Sequence, residues 1–407
     1  MDRTILHCDC NGFFASVECI RDPSLRDVPM AVCGDPDSRH GIILAKNELA
    51  KGYGIVTAET VWSAVKKCPQ LRLVRSHHEE YERYSKLVNA IYARFTDMVE
   101  PFGIDESWLD VTASRALFGD GKQIADTLRR TIREELGLTV SVGVSFNKTF
   151  SKLGSDYKKP DATTVILRDD VERIVYPLSV EALLFVGQAA ADTLRKMGIR
   201  TIGDLAEARR SQLEAALGKL GAQLSDCANG LECSPVRRIG DAEPIKSIGN
   251  GMTYPHDLCG LEALRSGALV LCDSVASRLR ASNLRAGGVQ LTVRDPQFHS
   301  ITRQTTLSTP TDNAQELLTV VTTLLTKHVS PTQPVRMMTV TATRLTDEAS
   351  GEQLLLTDSP VDSQRRQKRT QLDRTMDAIR QKYGKQAILH GSTVGEPDRG
   401  GEETDEP

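Results

Sequence analysis

The chain has 407 residues, 40% of them hydrophobic and only 5% aromatic, which is enough apolar material for two to four domains with mainly aliphatic cores. No run reaches the roughly 18 apolar residues of a membrane helix. The N-terminal MDRTILHCDCNG does not read as a signal peptide, and nine scattered cysteines without a CxxC pair fit reduced cytosolic thiols better than disulfides. The formal charge of -3 is uneven: residues 396–407 carry six acids against Arg399 alone, so the rest of the chain is near +2. A mildly basic body permits a polyanionic partner without requiring one.

Residues 4–10 read as a short buried strand ending at Asp9, with Cys8 and Cys10 as small core residues rather than zinc ligands. Asn11-Gly12 turns the chain into a helix from Phe13. Residues 28–33 and 41–45 read as strands around a polar loop, and Asn47 to Tyr53 as a short helix closed by Gly54. Apolar residues at helical spacing predict a helix from His78 to Glu100. Two apolar runs, Val99 to Ile104 and Trp108 to Val111, then flank Asp105-Glu106, which predicts a hairpin with the acidic pair at its turn. Gly121 to Leu136 is a second amphipathic helix and Thr139 to Ser145 a buried-type strand.

The order strand, helix, hairpin, helix, strand is the split βαβ pattern of a ferredoxin-like sheet. In it, the first strand and the hairpin can lie side by side, so Asp9 can meet Asp105 and Glu106. Adjacent carboxylates repel and lose hydration at such a place, so they need a cation, and a functional reading makes that cation a bound metal.

Residues 170–235 are mostly helical, with turns at Phe185-Val186-Gly187 and Met197-Gly198-Ile199 that resemble a helix-hairpin-helix unit. Backbone N–H groups at the Gly187 helix start can bind a phosphate. A Pro- and charge-containing linker follows. Residues 246–345 then read as a separate α+β unit with strands over Gly288 to Arg294, Ile301 to Leu307 and Arg336 to Arg344, and helices over Leu261 to Ala281 and Asn313 to Lys327. Ten bases against six acids give this unit +4, and strand arginines such as Arg294, Arg303 and Arg336 suit contact along a nucleic-acid backbone. Beyond it lie an apolar island, GEQLLLTD (351–358), an amphipathic helix over Gln371 to Tyr383, and the acidic tail, which composition marks as disordered.

Together these segments resemble the Y-family, or translesion, DNA polymerases, most closely the bacterial DNA polymerase IV type. The resemblance rests on HCDCNGFFASVE (7–18), ILAKNELAKGYGI (43–55), VEPFGIDESWLDVT (99–112), SVGVSFNKTFSKLGSDYKKPD (141–161), the helix-hairpin-helix stretch and KSIGNGMTYPHDL (246–258), in order across roughly residues 3–390. It implies an α+β multidomain chain. A ferredoxin-like palm (1–19 and 77–167) would carry small fingers (20–76), a helix-hairpin-helix thumb (168–233), a linker (234–245), an α+β little finger (246–346) and a tail (347–407).

The implied activity is template-directed, low-fidelity DNA synthesis for translesion repair, with no proofreading exonuclease. Phosphoryl transfer to a 3′-hydroxyl needs that hydroxyl deprotonated and the triphosphate charge neutralised, work suited to two Mg²⁺ ions held by carboxylates. By resemblance, Asp9 and Asp105 bridge both ions, Glu106 holds the one that activates the hydroxyl, and Cys10 contributes its backbone carbonyl. Phe14 matches the sugar gate that excludes a 2′-hydroxyl, with Phe13 beside it. Lys51 and Lys159 match triphosphate-binding positions, and Ile42 and Leu44 fall where the fingers cover the new base pair; both are bulkier than is frequent there, implying a tighter lid. Glu48, Lys51 and Asn11 stand where many relatives have Tyr, Arg and Asp. Lys148 and Lys152 are expected to support the strand–helix turn or contact DNA. Gln353, Leu354 and Leu356 resemble the peptide that docks on a sliding clamp, although Thr357 replaces its usual aromatic end. The expected partners are primer-template DNA, dNTP and the clamp, with no membrane, for a monomer in the bacterial cytoplasm. Two competing readings are a catalytically silent DNA- and clamp-binding accessory and a nucleotide cyclase.

Overall fold

The computed structural model describes residues 2–36, 41–241, 243–330, 332–347, 360–384, 387–389 and 391. They form two compact units that divide at residues 242–243. Among the described residues no helix is long and apolar enough to cross a membrane.

In the first unit, β1 (Ile5–Cys10) is wholly buried, and the Asn11-Gly12 turn feeds the helix Phe13–Arg21, with Gly12 at φ 51 supplying a left-handed residue at the helix start. A small three-stranded sheet follows. β2 (Met30–Cys33) pairs antiparallel with β3 (Ile43–Lys46) and parallel with β4 (Arg72–Arg75). Its core holds Ile43, Ala50, Ile55 and Ala64. Asn47 caps the short helix Glu48–Gly52 by accepting from Ala50 N–H.

The helix expected from His78 to Glu100 stops at Tyr92. Its continuation is drawn into the sheet instead: the Thr96 hydroxyl donates to the Asp110 carbonyl and Asp110 N–H to the Met98 carbonyl. β5 (Val99–Pro101) then pairs with β6 (Glu106–Asp110). Glu106 is therefore the first residue of β6 rather than a turn residue, and the turn occupies Phe102 to Asp105. The helix Gly121–Leu136 matches its expected span. A capping box between Asp120 and Gln123 opens it and left-handed Gly137 closes it. Ile124, Leu128 and Ile132 share its buried stripe, each such side chain contributing about 1.5–3 kcal/mol. β7 (Val140–Ser145) and the short β8 (Thr163–Val165) complete a sheet of order β5-β6-β1-β7-β8. The first four strands have the ferredoxin-like order.

Period-two alternation separates the faces of this sheet. Leu6, Cys8, Leu109, Val142 and Val144 join the core beneath the helices Phe13–Arg21, His78–Tyr92 and Gly121–Leu136. His7, Asp9, Glu106, Trp108 and Gly143 have the opposite parity. The helix Lys148–Tyr157 covers that second face. It approaches so closely that a Cβ at Gly143 would overlap the backbone of Ser151, Gly154 and Ser155.

Four helices follow, Gln188–Lys196, Ile202–Glu207, Arg210–Leu217 and Lys219–Ala228, around Leu194, Ile202, Leu205, Leu213 and Leu224. The first expected hairpin is preceded by a single 3₁₀ turn, Val180–Ala182, not by an α-helix. Its left-handed residue is Phe185 (φ 72), while Gly187 is extended at the start of Gln188–Lys196.

The second unit is an antiparallel sheet of order β11-β10-β12-β9. β10 spans Leu284–Arg294, β11 Ser300–Thr311 and β12 Val335–Asp347. β9 (Ile248–Leu258) was not expected, because Asn250, Gly251 and Pro255 are poor strand formers. An edge position with a register shift opposite Val335 and Met337 accommodates them. The helices Leu261–Ala281 and Ala314–His328 close the core over Leu271, Val275, Val289, Leu317 and Val340.

The C-terminal helix spans Pro360–Tyr383 and is held on this unit by charge. Arg280, 5% exposed, bonds Asp377 at 2.6 Å and Asp373 at 3.3 Å, while Arg380 pairs with Asp273 at 2.7 Å. Asp373 also accepts from the Asn313 side chain and from Ala314 N–H. Removing one partner of a buried ion pair costs about 3–5 kcal/mol. Arg280→Met should therefore release the helix, read as faster tryptic cleavage within residues 360–383. Unchanged protection would contradict this account of how the helix is held.

Candidate active site

The sheet register places the carboxylates. Asp9 on β1 is paired with Glu106 on β6. The Asp105 carbonyl accepts from Cys10 N–H at 3.0 Å, which fixes the turn against the end of β1. Trp108 and Leu109 are buried behind it, and the Trp108 indole donates to the Lys148 carbonyl at 3.1 Å.

Two ammonium groups lie among the acids. Lys152 Nζ is 2.7 Å from Glu106 Oε2 and 3.2 Å from Asp9 Oδ2. Lys159 Nζ is 2.7 Å from the same Asp9 oxygen and 2.7 Å from Asp156. Lys152 neither supports the strand–helix turn, as expected, nor stands free for DNA. It stands instead one turn into the helix over β1, and the available clue was that this helix starts where a strand neighbouring Asp9 ends. Lys148, expected at the same turn, bonds Glu100 on β5 at 2.6 Å with both side chains largely buried. His7, also missed, is fully buried on the same face. Its Nδ1 meets the Ser155 hydroxyl at 2.8 Å and its Nε2 faces Glu106 at 3.4 Å.

Burial, and then the neighbouring Asp9 and Glu106 charges, push the Asp105 carboxyl up to about 6. Burial also opposes ionisation of Glu106, but His7 and Lys152 outweigh it and bring that carboxyl down to about 2. The Asp105 shift has a sign. A carboxyl raised above its unfolded value of 3.8 lowers stability once it ionises, and the loss vanishes as pH falls through 6 towards 4. A divalent cation held at this carboxyl would relieve that loss only where Asp105 is charged. The gain in melting temperature on adding Mg²⁺ to EDTA-treated protein should therefore be larger at pH 7.5 than at pH 5.5; an equal or reversed gain, read by scanning calorimetry, would refute this.

Among the described residues no three Asp, Glu, His or Cys side chains converge tightly enough to hold an ion as they stand. Fit to a divalent cation rests on the donor set. Carboxylate oxygens suit a hard cation, and the site already accommodates positive charge in the form of the Lys152 ammonium.

Phe14 is the second residue of the helix Phe13–Arg21. Its ring stacks on Tyr81 with centroids 4.1 Å apart and planes 12° apart, and the Tyr81 hydroxyl donates to buried Glu18. Phe13 lies in the core, 3% exposed. Lys51 is exposed and paired with Glu48 at 3.4 Å. Ile42, 41% exposed, bridges to Thr60, and Leu44 is half-buried on β3. Asn11 donates to the Ser141 hydroxyl and accepts from Asp161 N–H, both at 2.8 Å, so here it anchors the segment after Lys159.

In the second unit Arg294 bonds Ser300 at 2.9 Å, Arg303 stands on edge strand β11, and Arg336 lies over the Phe298 ring at 4.9 Å. Arg303 pairs with buried Leu291 and Arg294 with Ser300, so pleat parity puts these two arginines on opposite sides. Gln353, Leu354, Leu356 and Thr357 lie outside the described residues, as does the acidic tail.

A solved Y-family DNA polymerase chimera matches the fold with a TM-score of 0.76 at 21% identity, over 84% of this chain and 99% of that one. The fold is thus that of a Y-family DNA polymerase, an α+β chain with palm, fingers, thumb and little finger. The impB/mucB/samB family model matches residues 8–156 and its C-terminal domain residues 245–356. The chain is 45% identical to DNA polymerase IV of Acetivibrio thermocellus over 96% of this chain and 97% of that protein. It is 35% identical to DNA polymerase IV 1 of Bacillus subtilis over 96% and 93%. The chain belongs to the DNA polymerase IV family, whose members are divalent-metal-dependent, DNA-directed DNA polymerases of translesion synthesis.

Proposed function

We propose that this chain extends a primer 3′-hydroxyl on template DNA, using Asp9, Asp105, Glu106 and the Cys10 backbone carbonyl to hold two Mg²⁺ ions. The observation that carries this reading is the in-register pairing of Asp9 with Glu106, with Asp105 beside them and cationic groups interposed. When bound, the ions would acidify the primer hydroxyl and neutralise the triphosphate. Lys159, next to the carboxylates, and Lys51 on the fingers take the phosphate charge, as point charges rather than bidentate forks. Phe14 closes the space of a 2′-hydroxyl, and Phe13 fixes the helix that carries it. Ile42 and Leu44 cover the nascent pair. The Gly187 helix start, Arg294 and Arg336 contact the DNA backbone, whereas Arg303, on the opposite side of the sheet from Arg294, is left out of that surface.

The number and place of the ions are tested by anomalous scattering from Mn²⁺ in a ternary crystal with primer-template and a non-hydrolysable dNTP. Two peaks beside Asp9, Asp105 and Glu106 are expected; a single peak, or none at these residues, contradicts the two-ion assignment. Bulky Ile42 and Leu44 narrow lesion tolerance in this reading. Ile42→Ala with Leu44→Ala should raise bypass of a bulky adduct several-fold relative to undamaged template, and an unchanged ratio would sink the idea.

The proposed limits are 1–19 and 77–167 for the palm, 20–76 for the fingers, 168–233 for the thumb and 246–346 for the little finger. Gln353–Thr357 is proposed to dock on the sliding clamp, and binding that survives Leu354→Ala with Leu356→Ala would oppose this. The nine free cysteines agree with action in the reducing bacterial cytoplasm, as a monomer; secretion of the tagged chain or a dimer in sedimentation would count against that. The silent-accessory reading is disfavoured because Asp9 and Glu106 are paired in register with Asp105 adjacent, and nothing in the fold favours a cyclase.

A further inference from the structure

Lys152 is placed as a ligand competitor rather than as a surface base. Its ammonium bridges Glu106 and Asp9 at 2.7 and 3.2 Å, with the side chain 16% exposed. Both acids belong to the set assigned to the metal ions, so a cation would compete with this ammonium for Asp9 Oδ2 and Glu106 Oε2. The helix that carries Lys152 is pressed on the sheet at Gly143, where no side chain fits between, which holds the lysine over β1. Buried His7 lies 3.4 Å from the same Glu106 oxygen that Lys152 holds, so this oxygen is closed in by two nitrogen groups. Asp156, four residues on and half exposed, lies 3.5 Å from Lys152 Nζ. It offers the ammonium a second carboxylate within the same helix.

We infer that Lys152 is a resident counter-cation: it occupies the carboxylate site in the metal-free enzyme and moves to Asp156 when divalent metal enters. This rests on the assignment of Asp9, Asp105 and Glu106 as metal ligands. Three close carboxylates without a cation repel one another, and Lys152 keeps them together until the metal arrives. The cost of displacing it weakens metal binding. Metal therefore loads poorly on the free enzyme, and loading becomes favourable once a triphosphate supplies further oxygen ligands and engages Lys159, which also leans on Asp9.

The test uses the full chain without DNA or nucleotide, titrated with Mn²⁺ while free Mn²⁺ is followed by electron paramagnetic resonance. Lys152→Met should bind Mn²⁺ about tenfold more tightly than the parent, the equivalent of losing one competing charge pair, and Lys152→Arg should stay near the parent. Asp105→Asn should weaken binding in both the parent and Lys152→Met backgrounds. Equal affinity of parent and Lys152→Met, with Asp105→Asn still weakening both, overturns the inference and leaves the metal assignment standing. Indifference of both backgrounds to Asp105→Asn overturns the metal assignment and the inference with it.

A second measurement needs no variant. Reductive methylation of the parent, read by mass spectrometry, should label Lys152 several-fold faster with saturating Mg²⁺ than with EDTA. A rate unchanged or slowed by Mg²⁺ means that the ammonium is not displaced, and contradicts the proposal.

Discussion

Asp105→Asn should lower primer extension by about a thousandfold or more while leaving the fold intact. A metal ligand is asked to supply several kcal/mol of charge stabilisation in the transition state, and about 4 kcal/mol is a factor of about a thousand in rate. Stability should move the other way. The Asp105 carboxyl is pushed up to about 6 by burial and by its acidic neighbours, so at pH 7.5 its charge costs the metal-free fold some stability. A neutral amide of the same shape removes that cost. The expected pair of results is lost extension with an equal or higher melting temperature in EDTA. Extension within tenfold of the parent would remove Asp105 from the chemistry, and a collapse in melting temperature would make its role structural.

Phe14→Ala should relax sugar selection. The Phe14 ring is braced on one face by Tyr81, which is itself tied to buried Glu18, and His78 meets it edge-on at 5.8 Å. A ring held this way cannot tilt aside for an added hydroxyl. Forcing a group into a filled space costs about 2–3 kcal/mol, or about 30- to 140-fold in relative kcat/KM. Single-nucleotide insertion should show the dNTP-over-rNTP preference falling by that factor, with kcat/KM for dNTP changed much less. A preference unchanged by Phe14→Ala would mean that another group reads the sugar. The same bracing makes Tyr81 a second lever: Tyr81→Ala lets the ring move, so its effect should be in the same direction and smaller.

The meeting of Asp9 with Asp105 and Glu106 was legible because each part carries a local signal. An acid at the end of a buried strand and an acidic pair between two apolar runs are visible as residue types, and the order of elements between them brings the strands together. Boundaries set by long-range bonds were not legible. Tyr92 ends its helix because Thr96 and Met98 bond to Asp110 across the hairpin, although the apolar spacing alone runs on to Glu100. β9 was hidden because its Gly, Asn and Pro deny it a strand composition, and only the partner strand β12 supplies the missing order. Lys152 and His7 were hidden for a different reason. Nothing in the composition of a helix says which neighbouring strand it will cover, and Lys152 meets Glu106 because Gly143 lets its helix down onto the sheet, whereas His7 meets it through the pairing of β1 with β6. Glu106 itself needed the register: it begins a strand opposite Asp9 rather than sitting in the turn.

The central claim is that this carboxylate site performs templated nucleotidyl transfer. Its most direct test is single-nucleotide insertion by the purified full chain on four primed templates that differ only in the templating base, with Mg²⁺ and each dNTP in turn. The expected result is insertion that follows the template base on all four and stops in EDTA. Absence of insertion with Mg²⁺, or insertion indifferent to the template, would contradict it.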